Sequence, residues 1–536
     1  MSPLRRLAAW PKQGHPTVLA LGLLVTVGYI VLSRDFGTTR DEPIRNAFGE
    51  HVLAYWAGGS AAFPGGPHLR VYGGLFDVSA LLVHEVLGGD LWTNRHYVNA
   101  AFGGIGILAI GLFAARLFGT PVGVGTVVLL ALSPRFLAHA MNNPKDAPFA
   151  ALCSVALLSF TLLRATPPFV TWPGAIAIGL ALALPLNVRP AALLYWGYLG
   201  LTVGVLALGA RDFSLRTMMA AAARLAAITA IMLLAGCVTW PWAQGNPFVR
   251  PFEALFALSD FRWPGRVLFQ GEVVSALNVP PTYLPVLLSL TIPPVVLAGA
   301  VASVVALVSG RRHRLLMLGL WFVVLFPIVT AIVKGSTLYN GWRHMLFIYP
   351  PLVVLAALGW HAVWECTRDR AIRAAVAALF AIGCAEPLWF VVRDHPNQVV
   401  YFNVLAGGPR GAAGRFELDY WANSYLQAMR WCHELAHASG TPLVVAGTPQ
   451  RVVRFDARRF PAIAAARLRR GEHHLELRLL RSELGRSAAD RRGVLHAVRM
   501  ADGTPLAIVV PGPRWREVRD RVRPHLEPAQ TSRASR

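Results

Sequence analysis

A multispan helical membrane protein with a soluble α/β domain at its C-terminal end is the fold class the sequence predicts, and three observations predict it. Hydrophobic residues make up 55% of the 536 and charged ones only 15%, with a mean hydropathy of +0.47, a balance too apolar for an ordinary soluble enzyme. Apolar runs of about 20 residues, the length that crosses a bilayer, recur from residue 17 to residue 392. Beyond residue 393 the hydropathy falls, and roughly 140 residues follow, a normal size for one domain.

The first run, 17–33, follows a basic segment at residues 1–6 and has no small-x-small cleavage site after it, so it reads as an uncleaved signal anchor. Further runs lie at 97–117, 121–138, 147–163, 173–187, 191–209, 221–239, 283–308, 315–333, 345–364 and 371–392, which gives about eleven spans. The run at 173–187 is short and is interrupted by Pro185. With the N-terminus inside, the inner loops receive Arg5, Arg6, Lys12, Arg116, Arg164, Arg211, Arg216, Arg311, Arg312, Arg314, Arg368 and Arg370. That positive-inside bias agrees with an odd count and an outside C-terminus. It also explains the net charge of +23, whose arginines recur between spans instead of forming one nucleic-acid-binding face. The five cysteines include no CxxC pair, so neither a disulfide framework nor a cysteine zinc site is implied.

The same topology collects five chemically suggestive stretches on the outer side. They are the first loop, 34–96; MNNPKDAPF, 141–149; NVRP, 187–190; the loop 240–282; and KGSTLYNGWRH, 334–344. In the first loop, 44–56 and 75–87 have the period of amphipathic helices lying along the membrane surface, joined by a turn-rich segment at 58–66. A loop of this length is usually functional, and here it would roof the acids at its start. Domain limits follow as 1–392 for the membrane domain, 393–526 for the α/β domain and 527–536 for a polar, disordered tail. Within the α/β domain, 424–438 reads as a helix, 442–446 as a buried strand, and 494–500 with 505–510 as a hairpin about Asp502-Gly503.

Asp41 and Glu42 stand just beyond the first span, where a carboxylate meets water on one side and low dielectric on the other. Such acids are poised to take a proton from a hydroxyl or to bind a cation; the alternative is a solvated loop start. Arginine supplies nearly all the positive charge, the lysines being Lys12, Lys145 and Lys334. Lys145 beside Asp146, Lys334 near Arg343 and His344, and Arg189 between Asn187 and Pro190 are candidates to grip an anionic headgroup; interfacial snorkelling is the alternative. Asn142, Asn143 and Pro144 precede a helix start near Asp146, whose free N–H groups attract anions, unless Asp146 is only a cap.

One motif competes. His433-Glu434-Leu435-Ala436-His437 is HExxH on a helix, the spacing of zinc proteases, with His433 and His437 as ligands and His473 or Glu476 to complete the set. Against it, Leu443 stands where the longer pattern wants a third histidine, and the apolar face of Tyr425, Ala428, Met429, Cys432, Leu435 and Ala436 leaves Glu434 in water. No Walker A sequence is present, and 408–414, though glycine-rich, reads as a structured turn.

The acidic pair, NNPKDAPF, TLYNGWRHMLFIYPP (337–351) and YFNVLAGGPRGAAGRFELDYW (401–421) together resemble bacterial membrane glycosyltransferases of the GT-C superfamily, related to protein O-mannosyltransferases and the lipid A aminoarabinose transferase. The resemblance runs from the first span to Trp421 and implies a GT-C-like fold in a bacterial inner (cytoplasmic) membrane. The N-terminus would be cytoplasmic and the C-terminal domain periplasmic or extracellular. It implies transfer of a sugar from a polyprenyl-phosphate donor to a lipid, glycan or protein acceptor at the outer face, with membrane lipids and no nucleic acid as partners. Asp41 matches the family's catalytic acid, Glu42 would help hold acceptor or base, and Lys145, Arg343, His344, Arg189 and Lys334 would meet the donor phosphate. Asn142, Asn143, Asp146, Tyr339 and Asn340 would support them. Some members bind a divalent metal, but no carboxylate cluster here demands one. The competing expectations are a membrane-anchored zinc protease and a non-catalytic transporter of lipid-linked or anionic cargo.

Overall fold

The computed structural model describes residues 15–62, 69–210, 214–308, 313–481 and 493–526. The basic segment before the first span, residues 63–66 of the joint, Arg211, Arg311, Arg312 and the polar tail 527–536 lie outside the described residues.

Helix α1 (Pro16–Leu32) has a proline in its first turn, where a missing N–H is harmless, and no acidic or basic residue. Only Val18, Gly22 and Tyr29 are buried along it, while Leu23, Leu24 and Val27 face outward. The loop after it carries α2 (Glu42–Trp56) and α3 (Leu75–Leu87), the two expected helices, packed on each other. Next comes α4 (Leu91–Phe118), buried along most of its 28 residues. It touches α1 so closely that a Cβ on Gly104 would lie 2.3 Å from Thr26 Oγ1, the small-residue approach used between membrane helices.

Helices α5 (Thr120–Ala131) and α6 (Pro134–Asn142) meet at a bend of 69°. Ser133 is extended there because the ring of Pro134 disfavours helical geometry in the residue before it. The chain continues through α7 (Asp146–Ser159), α8 (Trp172–Leu186), α9 (Leu193–Leu208) and α10 (Leu215–Ala235). The segment that follows holds α11 (Arg250–Ser259) and the antiparallel pair β1 (Arg266–Phe269) and β2 (Glu272–Ser275). Helices α12 (Tyr283–Thr291) and α13 (Pro294–Val308) break by 115° at Pro293. Then come α14 (Arg314–Val333), α15 (Tyr349–Cys366) and α16 (Arg370–Arg393).

Among the described residues seven helices are long and apolar enough to cross a membrane, or up to nine if each bent pair is one span. The runs at 147–163 and 173–187 form two shorter apolar helices, Asp146–Leu162 and Trp172–Leu186, and the expected count of about eleven includes them. Pro185 does not interrupt the second of them, which stays helical to Leu186.

Helix α16 leads into a one-turn helix at Gly408–Ala412, where a turn was expected, and then into the α/β unit. There α17 (Tyr425–Ala438), β3 (Leu443–Thr448), α18 (Gln450–Ala457), β4 (Ile463–Ala465), β5 (Leu475–Leu479), β6 (His496–Arg499) and β7 (Pro505–Pro511) follow. The sheet order is β4-β3-β5-β7-β6, with β3 parallel to β4 and β5, and β7 antiparallel to β5 and β6. Parallel neighbours need a crossover, and α18 supplies it between β3 and β4. Tyr425, Met429, Cys432 and Leu435 of α17 join Val452 and Val453 of α18 and Val445, Leu477 and Val509 of the sheet in one core, separate from the membrane helices' own.

Candidate active site

Backbone between α1 and α2 is held from three directions. Asn423, just before α17, accepts from Gly37 N at 3.2 Å; Asn142, ending α6, donates to Gly37 O at 3.0 Å; and Thr39 Oγ1 donates to Asn142 O at 3.1 Å. This strap delivers Asp41 to the N-terminal end of α2, where its side chain makes no capping bond. Its carboxylate is 27% exposed and opens onto a cavity of about 240 Å³. Arg40, Ile44, Arg45, Leu69 and Tyr72 of the first loop line that cavity, with Lys145, Phe261, Trp263, Tyr339, Asn340, Arg343, Tyr420, Trp421 and Arg481.

Four of the five outer stretches thus meet at one cavity, and the fifth stands behind it. Arg189 Nη1 is 2.6 Å from Asp146 Oδ1, and Asn187 bonds Thr239, whose carbonyl accepts from Gly74 N at 2.9 Å.

Positive charge dominates the cavity. Arg343 Nη1 lies 2.7 Å from Asp41 Oδ2 and 3.5 Å from Asp146 Oδ2, its guanidinium packed over Trp421 and Tyr339. Lys145 Nζ is 4.9 Å from the centre of the Tyr72 ring. Burial alone would raise the Asp41 carboxyl, but the charges of Arg343 and Lys145 and the hydrogen bond from Arg343 outweigh it and hold the group below its ordinary value. The same surplus acts on Tyr72: burial pushes its phenol up, Lys145 and Arg189 pull harder, and it ends below its usual value.

The other predicted residues separate by role. Glu42 faces away from Asp41: its Oε2 accepts from Thr39 N at 2.6 Å and Thr39 Oγ1 at 3.0 Å, and its Oε1 is 3.0 Å from His96 Nε2. It is buried behind the strap and does not reach the cavity, so a direct hold on acceptor or base does not fit its position. Lys334 also lies elsewhere, donating to Ser259 Oγ at 2.9 Å on the surface. His344 sits edge-on to Tyr339 with ring centres 4.7 Å apart and is not part of the cavity wall. Asn143 braces Asp146, accepting from its N–H at 2.9 Å and donating to its Oδ2 at 3.1 Å, while Asn142 serves the strap. Asn340 lines the cavity and accepts from Arg481 Nη2 at 2.6 Å.

Arg40, Tyr72, Trp263, Trp421 and Arg481 were not singled out from sequence. Tyr420 and Trp421 close the motif 401–421, a signal that pointed to them without giving a role. Arg481 comes from just after β5 in the C-terminal domain, and nothing in its neighbourhood marks it.

A divalent cation does not suit this donor set, because Asp41 and Asp146 are both held by guanidinium groups with Lys145 and Arg40 close by. In the C-terminal domain Glu434 and His437 point to solvent, and His433 packs against Phe460 with ring centres 5.2 Å apart. Among the described residues no three His, Cys, Asp or Glu gather as a metal-holding group, so His473 and Glu476 do not complete one with HExxH.

No family model and no curated protein matches this chain. Among solved structures it is similar to ArnT from Cupriavidus metallidurans in the apo state, at 14% identity and a TM-score of 0.48 over 92% of this chain and 97% of that one. It is similar to the same protein bound to undecaprenyl phosphate, at 14% identity and a TM-score of 0.47 with the same coverage. It is also similar to the Archaeoglobus fulgidus oligosaccharyltransferase tethered to an acceptor peptide, at 13% identity and a TM-score of 0.46 over 84% of this chain and 64% of that one.

Proposed function

We propose that this chain is a glycosyltransferase that moves a sugar from a polyprenyl-phosphate donor to an acceptor hydroxyl at the outer face of the membrane, with Asp41 as general base. The observation that carries the reading is one cavity holding a partly exposed carboxylate, Asp41, beside the cations Arg343 and Lys145. A base and a phosphate clamp are the two parts this reaction needs.

In the step itself the acceptor oxygen attacks the anomeric carbon and its proton passes to Asp41. The bond from that carbon to the phosphate oxygen breaks, and the electron pair leaves with the polyprenyl phosphate. Arg343 and Lys145 stabilise the phosphate's growing charge, an electrostatic role that is strongest where water is excluded. An arriving phosphate also competes with Asp41 for Arg343, so donor binding frees the base when it is needed. Asp146, fixed between Arg189 and Arg343, orients the guanidinium and does not enter the cavity.

Replacing Asp41 by Asn and, separately, Glu434 by Gln tests the reading. Membranes carrying each variant are supplied with undecaprenyl-phosphate hexoses and pentoses, and release of undecaprenyl phosphate is followed. Loss in the first variant alone is expected. Retained release with Asp41→Asn removes the base, and movement of lipid-linked cargo with no glycosyl product favours a transporter.

A further inference from the structure

Asp456 of α18 is fully buried, and its Oδ1 accepts the Thr38 N–H at 3.2 Å. Thr38 lies three residues before Asp41, on the strap that delivers it. Arg459, one turn further on, has Nη1 3.4 Å from Phe36 O and Nη2 3.0 Å from Asp90 Oδ2. Gly37 seals the contact, since a Cβ there would lie 2.9 Å from Asn423 O and 3.0 Å from Leu426 Cβ. Three hydrogen bonds from the C-terminal domain, to Phe36, Gly37 and Thr38, therefore fix the backbone leading into Asp41.

We propose that Asp456 is a positioning residue for Asp41, its carboxyl gripping the Thr38 amide so that the strap holds Asp41 at the cavity mouth. The proposal rests on the reading of Asp41 as base. It gives the C-terminal domain a part in completing the site, beyond any part in choosing the acceptor.

A neutral side chain would seal this interface at lower cost, because burial outweighs what Thr38 and Arg459 return to the carboxylate. Burial pushes the Asp456 carboxyl up to about 6 against the pull of Arg459 and Thr38, and Glu42 adds to the rise. The charged groups near it are Arg459, Glu42 with its partner His96, and Asp90, which pairs with Arg459. Burial therefore favours the neutral carboxyl in the closed contact, and ionisation loosens the strap as pH rises through about 6.

The test uses the full chain in native-membrane nanodiscs. Amide exchange over residues 36–41, corrected for intrinsic rates, is measured from about pH 5 to about pH 8 for the wild type, Asp456→Asn and Asp456→Ala. Release of undecaprenyl phosphate from undecaprenyl-phosphate sugars is followed alongside. In the wild type, protection of 36–41 is expected to fall as pH rises through about 6, because burial favours the protonated carboxyl. Asp456→Asn keeps an acceptor and is expected to retain protection while losing the step. Asp456→Ala is expected to lose protection and about 100-fold in kcat, with the KM for donor little changed. Wild-type protection in Asp456→Ala overturns the proposal whatever the activity does. Should Asp456→Ala not fold, a step near 6 persisting in Asp456→Asn overturns it instead. Turnover surviving in Asp41→Asn would sink the base and leave the exchange readout standing, which separates the two failures.

Discussion

Arg343 Nη1 stands 2.7 Å from Asp41 Oδ2, an ion pair between residues 302 positions apart. The same nitrogen is 3.5 Å from Asp146, so one guanidinium joins the start of α2, the start of α7 and the segment before α15. The pair gives the resting site its arrangement: a base held ionised by a cation that a phosphate can claim.

If Lys145 faces the phosphate and Lys334 does not, their alanine variants must differ. Lys145→Ala is expected to weaken binding of undecaprenyl phosphate about tenfold, or ~1.4 kcal/mol, and Lys334→Ala to leave it unchanged. Titration of each purified variant with the lipid phosphate checks this, and equal losses would contradict the assignment.

Asp146 and Asp41 are expected to differ in what they do for stability. Asp146 is 1% exposed and compensates Arg189 and Arg343, so Asp146→Asn leaves buried guanidinium charge unmatched and should cost on the order of 3–5 kcal/mol. Asp41, 27% exposed, pairs with Arg343 beside Lys145, and Asp41→Asn should cost less than Asp146→Asn. Thermal unfolding in detergent compares them, and a larger loss at Asp41 would contradict the arrangement.

The fold and the site were legible from sequence to different depths. Apolar length found every membrane helix segment, because about 20 residues in a row need no tertiary information. It is weakest at α7 and α8, whose apolar helices are shorter than the rest. Asp41 was legible from its place beyond α1, but adjacent Glu42 was given the same orientation. Neighbours on a helix point about 100° apart, and Glu42 turned back to Thr39 and His96. Lys334 and Lys145 looked alike as lone lysines in outer stretches, and only packing separated them. Contacts such as Asp456 with Thr38, 418 residues apart, leave no local pattern to read.

Asp456 has a folded-state value raised above that of the unfolded chain, to about 6. For an acid this means the folded state binds the extra proton between the ordinary carboxylate range and about 6. Stability therefore falls as pH rises through that window and stays lowered above it. Asp456→Asn removes the penalty and is expected to stabilise the protein at pH about 8 by up to about 3 kcal/mol, with little gain at pH about 4. Unfolding midpoints at the two pH values check it, and destabilisation at the higher pH would contradict it.

The HExxH helix should be silent in transfer. Glu434→Gln and His437→Ala lie on an exposed face and are expected to change stability by less than about 0.5 kcal/mol and transfer not at all. Zinc bound one to one and lost with His437→Ala would revive the protease.

A structure of the chain with undecaprenyl phosphate bears on the base and the clamp together. The phosphate is expected between Lys145 and Arg343, with Arg343 drawn from Asp41 and the freed carboxylate facing the place of the anomeric carbon. A phosphate bound away from these two cations, or with Asp41 on the far side of the cavity from it, would leave the proposed transfer without its clamp or its base.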